Sequence, residues 1–335
     1  MSGTPAELLA LLRTWQVAQD EPAPLIVETS GSTGDPKRVL LSRAALRASA
    51  TATSARLGGP GQWLLNLPPT YVAGLQVLFR SVVAGTEPVV LERNLAETTG
   101  LMAGERRYVS LVPTQLRRLL DDPVQARALG TFTTVLVGGA HVPGDLRARA
   151  VDLGVRIVAT YGMSETCGGC VYDGVPLDGV SVSVGDDGRV QLGGPVLFDG
   201  YDGRPELADE VLRDGWFLTQ DLGRVDRDGR LEVLGRIDDV VVSGGVNVPT
   251  STVAGRLREH AAVRAAEVVG APDAEWGQRV VALVVGDLDL DTARGWVAAV
   301  LPRAWAPQEV RHLDEIPLLG NGKVDRVRLQ DVARG

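Results

Sequence analysis

The stretch Thr29-Ser30-Gly31-Ser32-Thr33-Gly34-Asp35-Pro36-Lys37 organises the whole chain. An apolar run, Leu25-Ile26-Val27, precedes it, and a helical pattern that opens at Ser42 follows it. Gly31 and Gly34 allow a tight turn and offer bare backbone N–H groups. Ser30, Ser32 and Thr33 add hydroxyl donors, and Lys37 adds a compact positive charge. Such a strand–loop–helix unit suits phosphate oxygens. It is not a Walker A loop, whose pattern is G-x-x-x-x-G-K-S/T. Taken alone, the same residues also suit a polar surface turn.

A count separates those readings. Lysine and arginine total 34, yet only Lys37 and Lys323 are lysines. Surface charge in this chain is therefore supplied by arginine. Both lysines sit in Gly-rich turns, the second being Leu319-Gly320-Asn321-Gly322-Lys323. A slim, mobile ammonium differs most from a planar guanidinium in such places. Chance and codon bias remain the competing account of two events.

Outward from the loop, short apolar strands alternate with helices. Thr4-Pro5-Ala6-Glu7 is a capping box that opens a helix over 5–19. Strands are expected at 24–28, 63–67, 88–91, 108–112, 134–137 and 155–160, and helices at 42–57, 72–84, 114–121 and 144–153. This βα rhythm predicts a mainly parallel sheet covered on both faces, with ligands bound where strands end. The texture changes near residue 178 to short strands parted by Gly and Asp turns, an antiparallel β region. After Gly235-Arg236-Ile237-Asp238-Asp239 comes a compact α+β pattern. The fold class is thus α/β, with a large N-terminal domain (1–237) and a small, mobile α+β C-terminal domain (238–335).

Composition narrows the function. A length of 335 residues allows about two domains at ~150 residues each. A net charge of −8 argues against nucleic acid as the main partner. No apolar run approaches the ~18 residues of a membrane span, and the N-terminus has no early basic cluster, so a cytoplasmic protein is expected. Cys167-Gly168-Gly169-Cys170 lacks the extra ligands of a zinc site, because His141, His260 and His312 are scattered. Small residues packed beside a site, or a redox dithiol, are the readings left.

In combination, six pieces resemble the adenylate-forming superfamily of acyl-CoA synthetases, adenylation domains and luciferases. They are Thr29–Lys37, Tyr161-Gly162-Met163-Ser164-Glu165-Thr166, Asp221-Leu222-Gly223, Gly235–Asp239, Ser243-Gly244-Gly245-Val246-Asn247 and Gly322-Lys323, in that order. Within that superfamily the chain is most similar to the o-succinylbenzoate–CoA ligases of menaquinone biosynthesis, in their short actinobacterial form. The pointers are Ser110–Leu116, Val137–Ala140, Ala73–Leu78 and the 28 residues before the loop, where full-length relatives carry a long first subdomain.

The resemblance implies an AMP-forming acid–thiol ligase that uses ATP, Mg²⁺ and CoA. A carboxylate attacks the α-phosphate, and CoA then displaces AMP from the acyl-adenylate. It implies that Thr29, Ser30, Gly31, Ser32, Thr33, Gly34 and Lys37 hold phosphates, that Glu165 binds Mg²⁺ and that Thr166 meets the α-phosphate. Tyr161 and Gly162 would face adenine beside Gly138, Gly139 and Ala140, while Asp221 and Arg236 would hold the ribose. Lys323 would bridge the carboxylate and the α-phosphate. Asp238 would be the hinge that exchanges Lys323 for the Ser243-Gly244-Gly245 loop at a CoA channel.

Blander readings stand beside these. Asp221 and Arg236 could be an ion pair, Tyr161 core, Glu165 an exposed loop acid, and Asp238 a turn residue. The family's usual His is replaced by Tyr71, which puts gating of the acyl pocket in doubt, and Thr219-Gln220-Asp221 replaces Thr-Gly-Asp. Cys167–Cys170 would line the acyl pocket. Arg80, the lone charge on its helix, either meets the second carboxylate of o-succinylbenzoate or reaches solvent. The partners expected are a small carboxylic acid, ATP and CoA, with a homodimer as one assembly. Transfer to a carrier protein and a non-catalytic nucleotide binder are the competing functions.

Overall fold

The computed structural model describes residues 2–29, 36–318 and 324–335. Ser30, Gly31, Ser32, Thr33, Gly34 and Lys323 lie outside the described residues, as does the Asp238 side chain. Contacts within the chain group it into two units. The larger comprises Met1–Ser183, Gln191–Thr219 and Val225–Leu231, and the smaller Val184–Val190, Gln220–Arg224 and Glu232–Gly335.

The larger unit is built on a seven-stranded sheet. In spatial order its strands are Val89–Val90, Gln62–Leu65, Arg107–Leu111, Thr134–Val137, Ile157–Met163, Gly168–Tyr172 and Val175–Pro176. The first five run parallel, and each of the last two pairs antiparallel with the strand before it. Alternate side chains feed opposite faces, as strand geometry demands. Trp63 and Leu65 join one core with Tyr108 and Leu136. Leu64 joins the other with Val109, Leu111, Val135 and Val137. Helices Pro5–Gln16, Arg43–Arg56 and Val72–Ala84 supply residues to the first core. Pro113–Asp121, Pro123–Leu129 and Gly144–Asp152 supply the second. Each fully buried Leu, Val or Phe contributes about 1.5–3 kcal/mol relative to exposure.

Local signals set the helix starts. Glu7 N donates to Thr4 Oγ1 at 3.3 Å while Thr4 N donates to Glu7 Oε2 at 2.8 Å. Ser42 caps the next helix through Ala45 N at 3.4 Å. Gly85, at φ 65°, ends the helix Val72–Ala84 in the left-handed conformation that glycine adopts without strain.

One expectation is corrected. The Gly-rich stretch is not the link of a strand–loop–helix unit, because a second strand, Arg38–Leu41, comes between the loop and the helix. It pairs antiparallel with Leu25–Glu28, in register from Leu25↔Leu41 to Glu28↔Arg38. The loop therefore tops a β-hairpin. Val39 and Leu41 are buried and Arg38 is exposed, a period-two pattern masked in the sequence by the polar residues before it. Gly200–Tyr201 adds a third strand on the other side of Arg38–Leu41.

The smaller unit holds the sheet of Val246–Pro249, Val240–Ser243, Gly277–Gly286 and Val263–Asp273, with Glu309–His312 parallel to Gly277–Gly286. Thr250–Arg258 and Leu290–Ala298 fill one face, and Arg326–Arg334 covers the other. Most expected strands and helices are present, and the whole chain is the expected mixed α/β fold with a smaller α+β body.

Candidate active site

The hairpin neck is closed just where the loop begins. Thr29 N donates to Lys37 O at 2.8 Å, and Lys37 N donates to Thr29 Oγ1 at 3.3 Å. Thr29 and Lys37 are thus held at a fixed separation. Lys37 Nζ stands 5.3 Å from the centre of the Tyr201 ring, within cation–π range.

Glu165 lies on the short 3₁₀ turn Ser164–Thr166 that follows the strand Ile157–Met163. It is 8% exposed, so it is no exposed loop acid. Its Oε1 accepts from Tyr201 Oη at 2.9 Å, and its backbone O accepts from Phe198 N at 2.9 Å. Among the described residues its other oxygen has no hydrogen bond and no cation pairs with it. Burying a carboxylate against one neutral donor is costly. A hard divalent cation would offset that cost, so the donor set fits Mg²⁺. Burial, with Glu165 next, pushes the Tyr201 phenol well above its ordinary value, so it remains a neutral donor.

Thr166 is fully buried, and its hydroxyl serves the turn. It accepts from Met163 N at 2.9 Å and lies 2.7 Å from Gly168 O, to which it donates. Cys167 follows at φ 52°, a conformation rare for a residue with a side chain. Two donors hold its carbonyl, Ser49 Oγ at 3.2 Å and Gln76 Nε2 at 2.7 Å, from two different helices. Sequence reading missed Ser49, Gln76, Phe198 and Tyr201. The available signal was thin: aromatics are 4% of the chain, yet Phe198 and Tyr201 stand three residues apart.

The strand ends carry the remaining groups. Val137 pairs with Ala159, which brings Gly138 beside Thr160 and next to Tyr161. A Cβ on Gly138 would lie 2.4 Å from Thr160 Oγ1, so only glycine fits. Gly139 and Ala140 are exposed. At Gly162, where a bulge interrupts pairing with Gly168–Tyr172, a Cβ would come 2.1 Å from Gly168 O.

Arg80 does not reach solvent. It is 7% exposed, its guanidinium lies 5.0 Å over the Trp63 ring, and its Nε has no partner. Burial pulls its affinity for a proton below the ordinary value, with Tyr172 opposing. Tyr71 caps the same helix at 47% exposure, and its side chain makes no capping bond.

In the smaller unit, Asp221 stands on the strand Trp216–Val225, Arg236 ends Leu231–Arg236, and Asp238 lies in the turn Ile237–Asp239. Ser243 and Val246 pair across Gly244 (φ 56°) and Gly245 (φ 78°), the two-residue hairpin turn that needs positive φ twice. Ser243 Oγ accepts from Gln308 Nε2 at 2.9 Å.

Cys167 and Cys170 are both free and fully buried. Burial pushes the Cys170 thiol up to about 12 and Cys167 higher still. A raised value means less thiolate than the free side chain has near ~8.5. Ellman's reagent at about pH 8 is therefore expected to leave the folded protein unmodified and to count two thiols after denaturation. Fast reaction of the folded protein would show that these thiols are accessible. Among the described residues no group of His, Cys, Asp and Glu is arranged to hold a metal by itself.

The family profile of AMP-binding enzymes matches residues 13–200, and that of the AMP-binding enzyme C-terminal domain matches 253–323. A probable 2-succinylbenzoate–CoA ligase of Mycobacterium tuberculosis is 45% identical, over 96% of this chain and 87% of that protein. The o-succinylbenzoate CoA synthetase of Bacillus subtilis with its acyl-adenylate intermediate is 27% identical. It superposes with a TM-score of 0.83 over 94% of this chain and 71% of that one. The same enzyme with ATP and magnesium gives 26% and 0.81, over 93% and 71%. With a profile over more than half its length and a relative 45% identical along nearly all of it, this chain belongs to the family of AMP-binding, adenylate-forming enzymes.

Proposed function

We propose that the chain is an AMP-forming carboxylate–CoA ligase that converts o-succinylbenzoate to its CoA thioester. The observation that carries this reading is 45% identity to a 2-succinylbenzoate–CoA ligase along 96% of the chain. In the first half-reaction a carboxylate oxygen bonds to the α-phosphorus and the bond to pyrophosphate breaks. In the second the CoA sulfur bonds to the acyl carbon, its proton is lost, and AMP leaves. ATP and CoA do not cross membranes unaided, so the enzyme is assigned to the cytoplasm, in menaquinone biosynthesis. No described helix is long and apolar enough to span a membrane. A homodimer is the assembly that light scattering would test.

Roles follow from chemistry. Thr29, Lys37 and the loop residues Ser30–Gly34 hold the β- and γ-phosphates. Glu165 holds Mg²⁺, which neutralises phosphate charge when bound. Thr166 contacts the α-phosphate once its hydroxyl leaves Gly168 O. Tyr161, with Gly138–Ala140 and Gly162, lines the adenine site, and Asp221 with Arg236 takes the ribose. The C-terminal domain, 238–335, turns at Asp238, delivering first Lys323 and then the Ser243–Gly245 turn. Tyr71 stands at the acyl pocket in place of the usual His.

Arg80 takes the second carboxylate. Its burial without an acidic partner among the described residues, and its unsatisfied Nε, support this role. The test is a panel of carboxylic acids assayed for pyrophosphate release with and without CoA, on wild type and Arg80→Ala. o-Succinylbenzoate should be preferred, with acyl-CoA formed. Its KM should rise about 10- to 100-fold in Arg80→Ala, with little change in the ATP KM. Preference for another acid, or equal effects on both KM values, overturns the assignment. Transfer to a carrier protein alone, or no carboxylate-dependent release, would select the competing functions.

A further inference from the structure

We propose that Tyr201 is a positioning residue that indexes the phosphate-loop lysine to the buried carboxylate and keeps the two charges from pairing with each other. The proposal rests on the roles given above to Lys37 and Glu165. These residues lie far apart in the sequence, and one side chain touches both. Its hydroxyl donates to Glu165 Oε1 at 2.9 Å, and its ring faces Lys37 Nζ at 5.3 Å. Lys37 and Glu165 form no direct ion pair.

The placement is over-determined. Tyr201 is 4% exposed and pairs with Val39 on the strand that leaves the loop. Asp199 N donates to Leu40 O at 3.0 Å and Asp202 N to Arg38 O at 2.8 Å, so the segment is bonded to that strand on both sides. Asp202 also pairs with Arg38 at 2.7 Å. Phe198, whose N–H holds the Glu165 carbonyl, packs on Tyr201 with ring centroids 4.9 Å apart. Residues 198–202 therefore grip the loop stem on one side and Glu165 on the other.

The chemistry explains why a tyrosine suits this position. A free ammonium near a buried carboxylate would collapse onto it and fill the space that a metal triphosphate needs. Tyrosine offers a negative ring face to the cation and a hydroxyl to the anion, so each is partly compensated while neither is neutralised. Donation to a carboxylate also enriches the ring, so the two contacts reinforce each other. Lys37 and Glu165 stay available for phosphate and for a hard cation.

Tyr201→Phe deletes the hydroxyl and keeps the ring, while Tyr201→Leu deletes both. Calorimetry with a non-hydrolysable ATP analogue, with and without Mg²⁺, separates the two contacts, and thermal melting reports folding. In Tyr201→Phe the gain in nucleotide affinity that Mg²⁺ confers should shrink about tenfold, with metal-free affinity unchanged. Tyr201→Leu should also weaken metal-free binding. Equal losses with and without Mg²⁺ in Tyr201→Phe, or no loss, would make Tyr201 a core aromatic and overturn the proposal. If Glu165→Gln leaves the Mg²⁺ gain intact, the role of Glu165 itself fails and the proposal falls with it.

Discussion

Glu165→Gln is expected to cut o-succinylbenzoate-dependent ATP–pyrophosphate exchange by about 10²–10³-fold, the scale seen when a preorganised electrostatic partner of the transition state is removed. The glutamine is isosteric and keeps an oxygen for the Tyr201 hydroxyl, so the turn Ser164–Thr166 should persist. What disappears is the charge that a hard cation requires. The present carboxylate is 8% exposed, and its hydrogen-bond donor is the neutral Tyr201 hydroxyl, so neutralising it relieves a desolvation cost. The melting temperature should hold or rise while activity collapses. A variant with both properties near wild type would remove Glu165 from the chemistry. A variant that melts much earlier would make Glu165 a structural residue.

Lys323→Ala is expected to reduce the same exchange by about 10²–10³-fold while leaving thioester formation from supplied acyl-adenylate and CoA near the wild-type rate. In the first half-reaction negative charge gathers between the attacking carboxylate and the α-phosphate, and a mobile ammonium can meet both. In the second half-reaction no bond to the α-phosphorus forms, and in the proposed sequence the Ser243–Gly245 turn has replaced Lys323. The family resemblance implies this role for Lys323, which is also one of two lysines among 34 basic residues. Stopped-flow assays of each half-reaction decide the matter. Equal losses in both halves would argue for general unfolding of the domain, and no loss in either would return Lys323 to the surface.

Much of the fold was legible because local rules and the global arrangement agree. Thr4 and Ser42 cap the helices that they announced, and Thr134–Val137, with the apolar run Val135–Val137, is a strand buried on both faces. Elements were missed where local chemistry pointed elsewhere. Gly168-Gly169 carries no strand signal, yet it begins the strand Gly168–Tyr172 and passes so close to Gly162 that a Cβ on Gly162 would lie 2.1 Å from Gly168 O. Arg38–Leu41 was hidden because four residues give too short a period to register. In the site, charged and glycine-rich segments announced themselves by residue type. Ser49, Gln76 and Tyr201 did not, because an ordinary side chain acquires its role from a neighbour more than 30 residues away. That information is tertiary.

The borders of the seven-stranded sheet have a consequence beyond catalysis. Both margins are strands of two residues, Val89–Val90 and Val175–Pro176, and the second carries a proline that cannot donate. A sheet this apolar would otherwise present a template onto which a neighbouring chain could zip. Truncated rims, one of them proline-bearing, give such a chain almost nothing to grip, which disfavours edge-to-edge aggregation of the folded protein.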